Sequence, residues 1–190
     1  VASDEAAYAT TGQQIQSLAI NFSAPGDRRD SRQVLWLEYP SVGGPSPEFS
    51  IRTNPEAKPF QHHSSAVEST DLPWVLASGF EGITDLQIDM RIEGKEKSVS
   101  KVEPRRYDIR LHFGIPKPLG SGPRQFNVSI NGDQATDDIS LDPSGKTAHV
   151  SAVMEARNVL VDETLHIKFV PRVGEPVISG IDIRQVEVTQ

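Results

Sequence analysis

The chain has 190 residues, with 19 basic and 26 acidic side chains, a formal net charge of −7 and no cysteine. The lack of cysteine excludes disulfides, thiolate chemistry and zinc sites built on cysteine. The negative charge opposes phosphate backbones and anionic lipid surfaces, so we expect neither nucleic acid nor a membrane as a partner. We also expect no transmembrane span and no signal peptide, and the first residue, Val1, suggests an excised or processed chain.

Residues 1–16 are small and polar, and we predict a tail or linker there, followed by a single domain over residues 17–190. Fourteen glycines and fourteen prolines divide the chain into short runs rich in Val, Ile and Phe. This pattern is typical of all-β proteins. In the N-terminal half it predicts strands at residues 17–22, 34–39, 51, 60–62, 75–80 and 86–92.

The C-terminal half alternates more regularly. In YDIRLHF, residues 107–113, the large apolar side chains share one parity, and the charged side chains and His112 share the other. Asn131-Gly132 is a strong hairpin signal, because both central residues of a type I′ turn need positive φ. Further strands are predicted at residues 125–130, 139–141, 147–154, 164–170 and 177–188, the last as one strand or two.

Roughly nine to eleven strands at hairpin spacing favour a two-sheet antiparallel β-sandwich over a small barrel. The spaced motifs of the C-terminal half also resemble one family, the malectin-like or galactose-binding-like β-sandwich. The stretches that carry the resemblance run from Tyr107 to Ile183: YDIRLHF, GPRQFNVSING, DDISL and GEPVISGIDI.

The resemblance implies a jelly-roll sandwich that acts as a non-catalytic module. Its implied partner is carbohydrate or a neighbouring protein domain, and its implied location is outside the cytoplasm. LWLEYPSVGGPSP and PWVLASGFEG in the N-terminal half resemble stretches beside such domains in large multi-domain bacterial proteins of the planctomycete kind. An interdomain module without a sugar ligand is the alternative, docking through the loops around residues 39–47 and 61–65.

Aromatic side chains are the first candidates for a ligand site, because sugar rings stack on flat side chains. Tyr39 and Trp74 lie at loop edges and are predicted to bind ligand, whereas Trp36, inside a strand-like run, is expected in the core. His63, in FQHHSS, is the third predicted ligand-binding residue. With His62 it forms the only histidine pair, which would need a further ligand to hold a metal.

The other strand histidines are predicted to be solvated. His112 and His166 lie on the polar parity of their strands, beside Arg110 and Lys168. If these strands share a sheet, the expected arrangement is an exposed face of mixed charge rather than a site.

An acidic cluster surrounds the predicted hairpin. Asp133, Asp137 and Asp138 either cap turns through their own backbone or bind a structural calcium ion, the one cofactor that we consider. No EF-hand spacing, nucleophile elbow or phosphate-binding loop is present in the sequence. We therefore expect no enzyme, and a hydrolase using these acids is the least favoured alternative.

Overall fold

A computed structural model describes residues 9–11, 14–41, 49–67, 72–91, 103–116, 122–144 and 150–187. Within these ranges about 61% of the residues lie in strands and very few in helices, and no described helix is long and apolar enough to cross a membrane. The elements in chain order are β1 Ala9–Thr11, β2 Gln14–Phe22, β3 Arg28–Arg29, β4 Leu35–Tyr39, β5 Ile51–Thr53, β6 Lys58–Gln61, a 3₁₀-helix Ser64–Ala66, α1 Pro73–Leu76, β7 Ser78–Glu81, β8 Asp85–Asp89, β9 Arg105–Gly114, β10 Arg124–Ile130, β11 Ala135–Leu141, β12 Ser151–Val161, β13 Thr164–Val173, β14 Val177–Ile178 and β15 Gly180–Gln185.

Two large sheets form the layers of the sandwich. Sheet A has the strand order β12-β9-β15-β2-β4-β3, with β1 also paired to β2, and sheet B has the order β11-β10-β13-β8-β5. A small sheet C, β14-β7-β6, completes the structure. Alternate side chains of sheets A and B meet in one hydrophobic core, which includes Ile20 and Ile109 of sheet A and Ile88 and Val128 of sheet B.

The all-β sandwich predicted from the sequence is confirmed. Two details go beyond the predicted two-sheet antiparallel sandwich: a small sheet C is separate, and β2 pairs with β4 in parallel. The C-terminal run forms two strands, β14 in sheet C and β15 in sheet A. Strand β12 continues to Val161 rather than ending at Met154.

The predicted strand over residues 75–80 is wrong in its first half. Residues 73–76 form α1, and only from Ser78 onward does the chain extend into β7. Leu72 adopts a left-handed conformation with φ 49°, and Pro73 then occupies the first helical turn, where its missing N–H costs nothing. The apolar residues at 75–76 therefore belong to a helical turn and not to a strand.

The first sheet residues also lie earlier than predicted. Strand β2 begins at Gln14, and Ile15 is fully buried in the core. The Tyr107 hydroxyl donates a 2.8 Å hydrogen bond to the carbonyl oxygen of Ile15. Residues 14–16 thus belong to sheet A rather than to a tail, and β1 pairs with them.

The predicted hairpin joins β10 and β11, with a longer loop than expected. Asn131 and Gly132 have positive φ as predicted, but the loop spans residues 131–134 instead of two residues. The Asn131 side chain donates to the Leu160 carbonyl oxygen at 2.9 Å and accepts from the His166 backbone N–H at 2.8 Å. These bonds tie the loop to β12 and β13.

Gly180 provides a test of the packing on sheet A. A Cβ at this position would lie 2.7 Å from Val75 Cγ1, 2.9 Å from the Ile20 carbonyl oxygen and 3.0 Å from Trp36 Cζ3. We therefore expect Gly180→Ala to lower the free energy of unfolding by about 1–3 kcal/mol, as overpacked cores do. Urea denaturation measures the change.

Gly26→Ala is the matched control, because no heavy atom lies within 4 Å of its Cβ position. Its effect should stay within about 0.5 kcal/mol. Equal stability of the Gly180→Ala variant and the original chain would contradict the close packing of α1 on sheet A.

Candidate functional site

A pocket of about 770 Å³ opens on the outer face of sheet A, the face turned away from the main core. Strands β9 and β12 form one side, and α1 and the turn that follows β3 form the other. We call it the Trp74 pocket. Its lining residues are Asp30, Ser31, Arg32, Leu72, Trp74, Leu76, Arg110, His112, Ser151, Ala152, Val153 and Glu155.

Strand register places one row of side chains across this outer face. From β12 to β3 the row reads Glu155, Arg110, Asp182, Ala19, Trp36 and Arg28. Directly paired strand residues point to the same side of a sheet, so acidic and basic groups alternate at one end of the row. Toward the other end lie the indole of Trp36 and, last, Arg28.

Trp36 is fully buried although it faces away from the main core. Strand β4 alternates, so that Leu37 enters the main core and Trp36 does not. Helix α1 covers the indole through Val75, which forms a second hydrophobic cluster with Trp36 and Ala19. The expectation that Trp36 is buried is met, in a separate small cluster.

Trp74 lies above this cluster at the pocket. Its ring meets that of Trp36 edge to face, with centroids 6.0 Å apart. The Arg28 guanidinium carbon lies 4.9 Å from the centre of the Trp74 ring, within the range of a cation–π contact. The side chain is half-buried, so part of the indole remains open to the pocket.

Asp30 organises the turn that brings Arg32 to the pocket. Its carboxylate accepts hydrogen bonds from the backbone N–H groups of Arg32 at 2.8 Å and Val34 at 3.0 Å, and from Trp36 Nε1 at 3.4 Å. The Arg32 guanidinium lies 3.0 Å from the same carboxylate. Burial raises the pKa of Asp30, but these hydrogen bonds outweigh it and hold the pKa below its usual value.

Arg110 and Glu155 form the opposite wall. They are direct partners across β9 and β12, with Arg110 Nε 3.4 Å from Glu155 Oε1. Both side chains are about half exposed, at 44% and 48%. The pair therefore offers guanidinium donors and carboxylate acceptors to solvent or to a ligand.

His112 is buried in the pocket wall, with 8% of its surface exposed, and this overturns the prediction of a solvated residue. Its ring packs edge to face on Trp36 at 5.3 Å. Its Nε2 is buried without a hydrogen-bond partner among the described residues. The alternation placed His112 correctly on the polar parity, but α1 and the Asp30 turn cover that face.

Burial lowers the pKa of His112 to about 4. The charges of Arg110 and Arg32 act in the same direction, whereas those of Asp182 and Glu155 act against it. His112 is therefore a neutral side chain at neutral pH.

Only one of the three predicted ligand-binding residues lines the pocket, namely Trp74. Tyr39 lies between the sheets, where its hydroxyl donates to the Ile51 carbonyl oxygen at 2.8 Å and its ring contacts Phe22 edge to face. His63 lies elsewhere and caps the short 3₁₀-helix, accepting from the backbone N–H of Ser65 at 3.2 Å. The geometry does not bring these three side chains together.

The acidic cluster is spread along β11 and its preceding loop. Asp138 accepts from Asn127 Nδ2 at 3.0 Å and pairs with Arg172, while Asp137 accepts from the Asp138 backbone N–H at 2.8 Å. Asp133 lies exposed in the loop, with φ 74°. Across the described part of the chain, no group of three His, Asp or Glu side chains could hold a metal ion. The calcium site stays a prediction.

His166 lies on a partly exposed face of mixed charge in sheet B, and it does not share a sheet with His112, because β9 belongs to sheet A. It is half-buried, and its Nε2 lies 2.6 Å from Asp85 Oδ2. Burial raises the pKa of Asp85, but hydrogen bonds from His166 and Gln87 outweigh this and lower it. The contact holds β13 to β8 within sheet B.

Neither a protein-family model nor a curated protein matches this sequence. Several solved structures match 90% of its length. They include a β-glucuronidase of Bacteroides uniformis, with 19% identity and a TM-score of 0.61, and the ANXUR2 extracellular domain of Arabidopsis thaliana, with 15% identity and a TM-score of 0.56. The plant receptor-like kinase FER matches with 12% identity and a TM-score of 0.54.

The chain shares their β-sandwich fold. This agrees with the malectin-like, galactose-binding-like fold implied by the C-terminal motifs. The chain spans 18% of the glucuronidase, 41% of the ANXUR2 chain and 42% of the FER chain. At these identities the likeness concerns the fold alone.

The buried histidine makes stability depend on pH. Because the folded pKa of about 4 lies below the usual 6.5, protons favour the unfolded chain between these values. The contribution of His112 is complete above pH 6.5 and is lost as the pH falls toward 4. We therefore expect the free energy of unfolding to fall by about 2 kcal/mol between pH 7 and pH 5.

His112→Phe removes the titration and keeps a ring beside Trp36. Urea denaturation at both pH values should show a smaller pH dependence for this variant than for the original chain. His63→Phe is the control, because His63 is exposed and should preserve the original difference. An unchanged pH dependence in His112→Phe would contradict the buried, neutral state of His112.

Proposed function

We propose that this domain is a non-catalytic carbohydrate-binding module of a larger extracytoplasmic protein, and that the Trp74 pocket is its binding site. The observation that carries the proposal is that the partly exposed indole of Trp74 lines the same open pocket as arginine and carboxylate side chains. Sugars present apolar ring faces and many hydroxyl groups, so their binding sites combine aromatic and hydrogen-bonding side chains.

The size of the pocket supports a small-molecule ligand. Its volume of about 770 Å³ falls within the range of about 300–1,000 Å³ that is common for ligand sites. Trp74, Leu72 and Val153 supply apolar surface, and Arg32, Arg110 and Glu155 supply polar groups around it. One wall stands on paired strands, so it is held in place before a ligand arrives.

The surroundings of the two acids that line the pocket, Asp30 and Glu155, support a role without catalysis. A glycosidase needs a carboxylic acid that keeps its proton near neutral pH, which requires a raised pKa. Hydrogen bonds from Arg32, Val34 and Trp36 lower the pKa of Asp30 instead. Glu155 is exposed and contacts two arginines, Arg110 and Arg157, at 3.4 Å each.

The solved structures that share this fold support the proposal of a module within a larger extracytoplasmic protein. One is a β-glucuronidase, of which a domain like this one is a small part, and another is described as an extracellular domain. The chain corresponds to 18% of the glucuronidase chain and 41% of the ANXUR2 chain, so in both it matches one part of a longer protein. An accessory module that binds glycan outside the cytoplasm fits both comparisons.

Two exposed valines allow a matched test. Val153 lines the pocket and is 52% exposed, whereas Val170 is 54% exposed on sheet B, away from the pocket. Val153→Arg should fill the pocket entrance and abolish retardation of the protein in polysaccharide-containing gels. Val170→Arg should migrate like the original chain, because it adds the same side chain at a distant site.

Equal retardation of both variants would show that binding occurs outside the Trp74 pocket. If the original chain binds no polysaccharide in a broad panel, the proposal fails and the interdomain alternative takes its place. Residues 42–48 of the docking loops in that alternative lie outside the described residues.

A further inference from the structure

The charges that line the Trp74 pocket cancel. Two arginines and two acids line it: Arg32 lies 3.0 Å from Asp30, and Arg110 lies 3.4 Å from Glu155. The buried Asp182 is a further carboxylate, 3.9 Å from Arg32. Each of these two arginines thus already has a carboxylate partner, and an acidic ligand would also approach carboxylates on both sides of the pocket. Arg28, on the Trp74 ring, is a further cation at the edge of the pocket.

Paired guanidinium and carboxylate groups suit a hydroxyl group. A hydroxyl can donate to a carboxylate oxygen and accept from a guanidinium N–H at the same time. Arg110 directs its Nε toward Glu155, and the half-exposed side chain presents other N–H groups to the pocket. Such bonds are charge-assisted and stronger than those between neutral groups.

His112 adds a polar but uncharged side chain to the pocket wall. It is buried beside Trp36, and its Nε2 has no hydrogen-bond partner among the described residues. It does not add the positive charge that would attract a carboxylate or sulfate.

We infer that the ligand is an uncharged sugar, whose neighbouring hydroxyls bond to the Arg110–Glu155 pair while its apolar ring face lies against Trp74. The inference rests on the proposed function of the pocket and narrows it to neutral glycans. The balanced charge of the lining side chains disfavours uronic acids and sulfated sugars, and the carboxylate of Glu155 acts as a specificity-determining acceptor.

The test compares two classes of glycan on the same protein. Affinity electrophoresis uses neutral polysaccharides (galactomannan, xyloglucan, β-glucan and arabinan) and acidic ones (polygalacturonate and alginate). Retardation is expected with at least one neutral polysaccharide and with neither acidic one. The affinity for oligosaccharides of the bound polymer should change less than about twofold between roughly 50 and 500 mM NaCl, because no net charge is neutralised on binding.

Glu155→Gln separates the two ligand classes by the direction of its effect. With a neutral ligand, replacing the charged acceptor should weaken binding roughly tenfold. With an acidic ligand, removing a negative charge should strengthen it instead. Glu163→Gln is the matched control, because Glu163 is an exposed, arginine-paired acid outside the pocket, and it should leave the affinity unchanged.

The outcomes distinguish this inference from the function on which it rests. Binding to acidic polysaccharides that falls with salt and rises in Glu155→Gln would overturn the inference and leave a carbohydrate-binding function in place. Binding to neutral polysaccharides with no change in Glu155→Gln would also overturn it. Binding to neither class would overturn the proposed function itself.

Discussion

Burial on both faces of the central strands of sheet A is the constraint on which the rest of this structure depends. Ile181 and Ile183 of β15 enter the main core, while Gly180 and Asp182, on the opposite face of the same strand, are buried too. A sheet with two buried faces needs a second cover, and α1 and the Asp30 turn supply it. The cover reaches only part of the face, and the Trp74 pocket lies at its edge.

Local patterns in the sequence predicted most of the strands, because side-chain alternation is a property of neighbouring residues. The parity of residues 107–113 is correct in every position: Ile109 and Leu111 enter the main core, and Arg110 and His112 point away from it. Alternation does not tell whether the other face meets water or another part of the chain. That depends on residues far away in sequence, which is why His112 was expected to be solvated.

The residues of the Trp74 pocket could be predicted only in part, because they come from segments that are far apart in sequence. Trp74 was proposed because it is an aromatic residue at a loop edge, whereas Asp30 and Arg32 were not among the candidate residues. One signal was available: Trp36 shares its parity with Glu38, so a large aromatic residue stands on the polar side of β4. An indole there needs a cover, and the apolar residues around Pro73 are suited to provide one.

Sharing a fold with a glycosidase domain and with plant ectodomains does not determine what this domain binds, because sandwich folds serve many functions. The pocket chemistry must therefore come from the residues of this chain. Here the same interactions build the cover and set the charge of the site: Asp30 fixes the turn, binds the Trp36 indole and neutralises Arg32. Removing Asp30 would free the charge of Arg32 for an anionic ligand, but it would also remove the hydrogen bonds that hold the turn in place. The pairing of these charges is thus tied to the fold, and the proposed preference for neutral sugars depends on the same contacts that hold the turn in place.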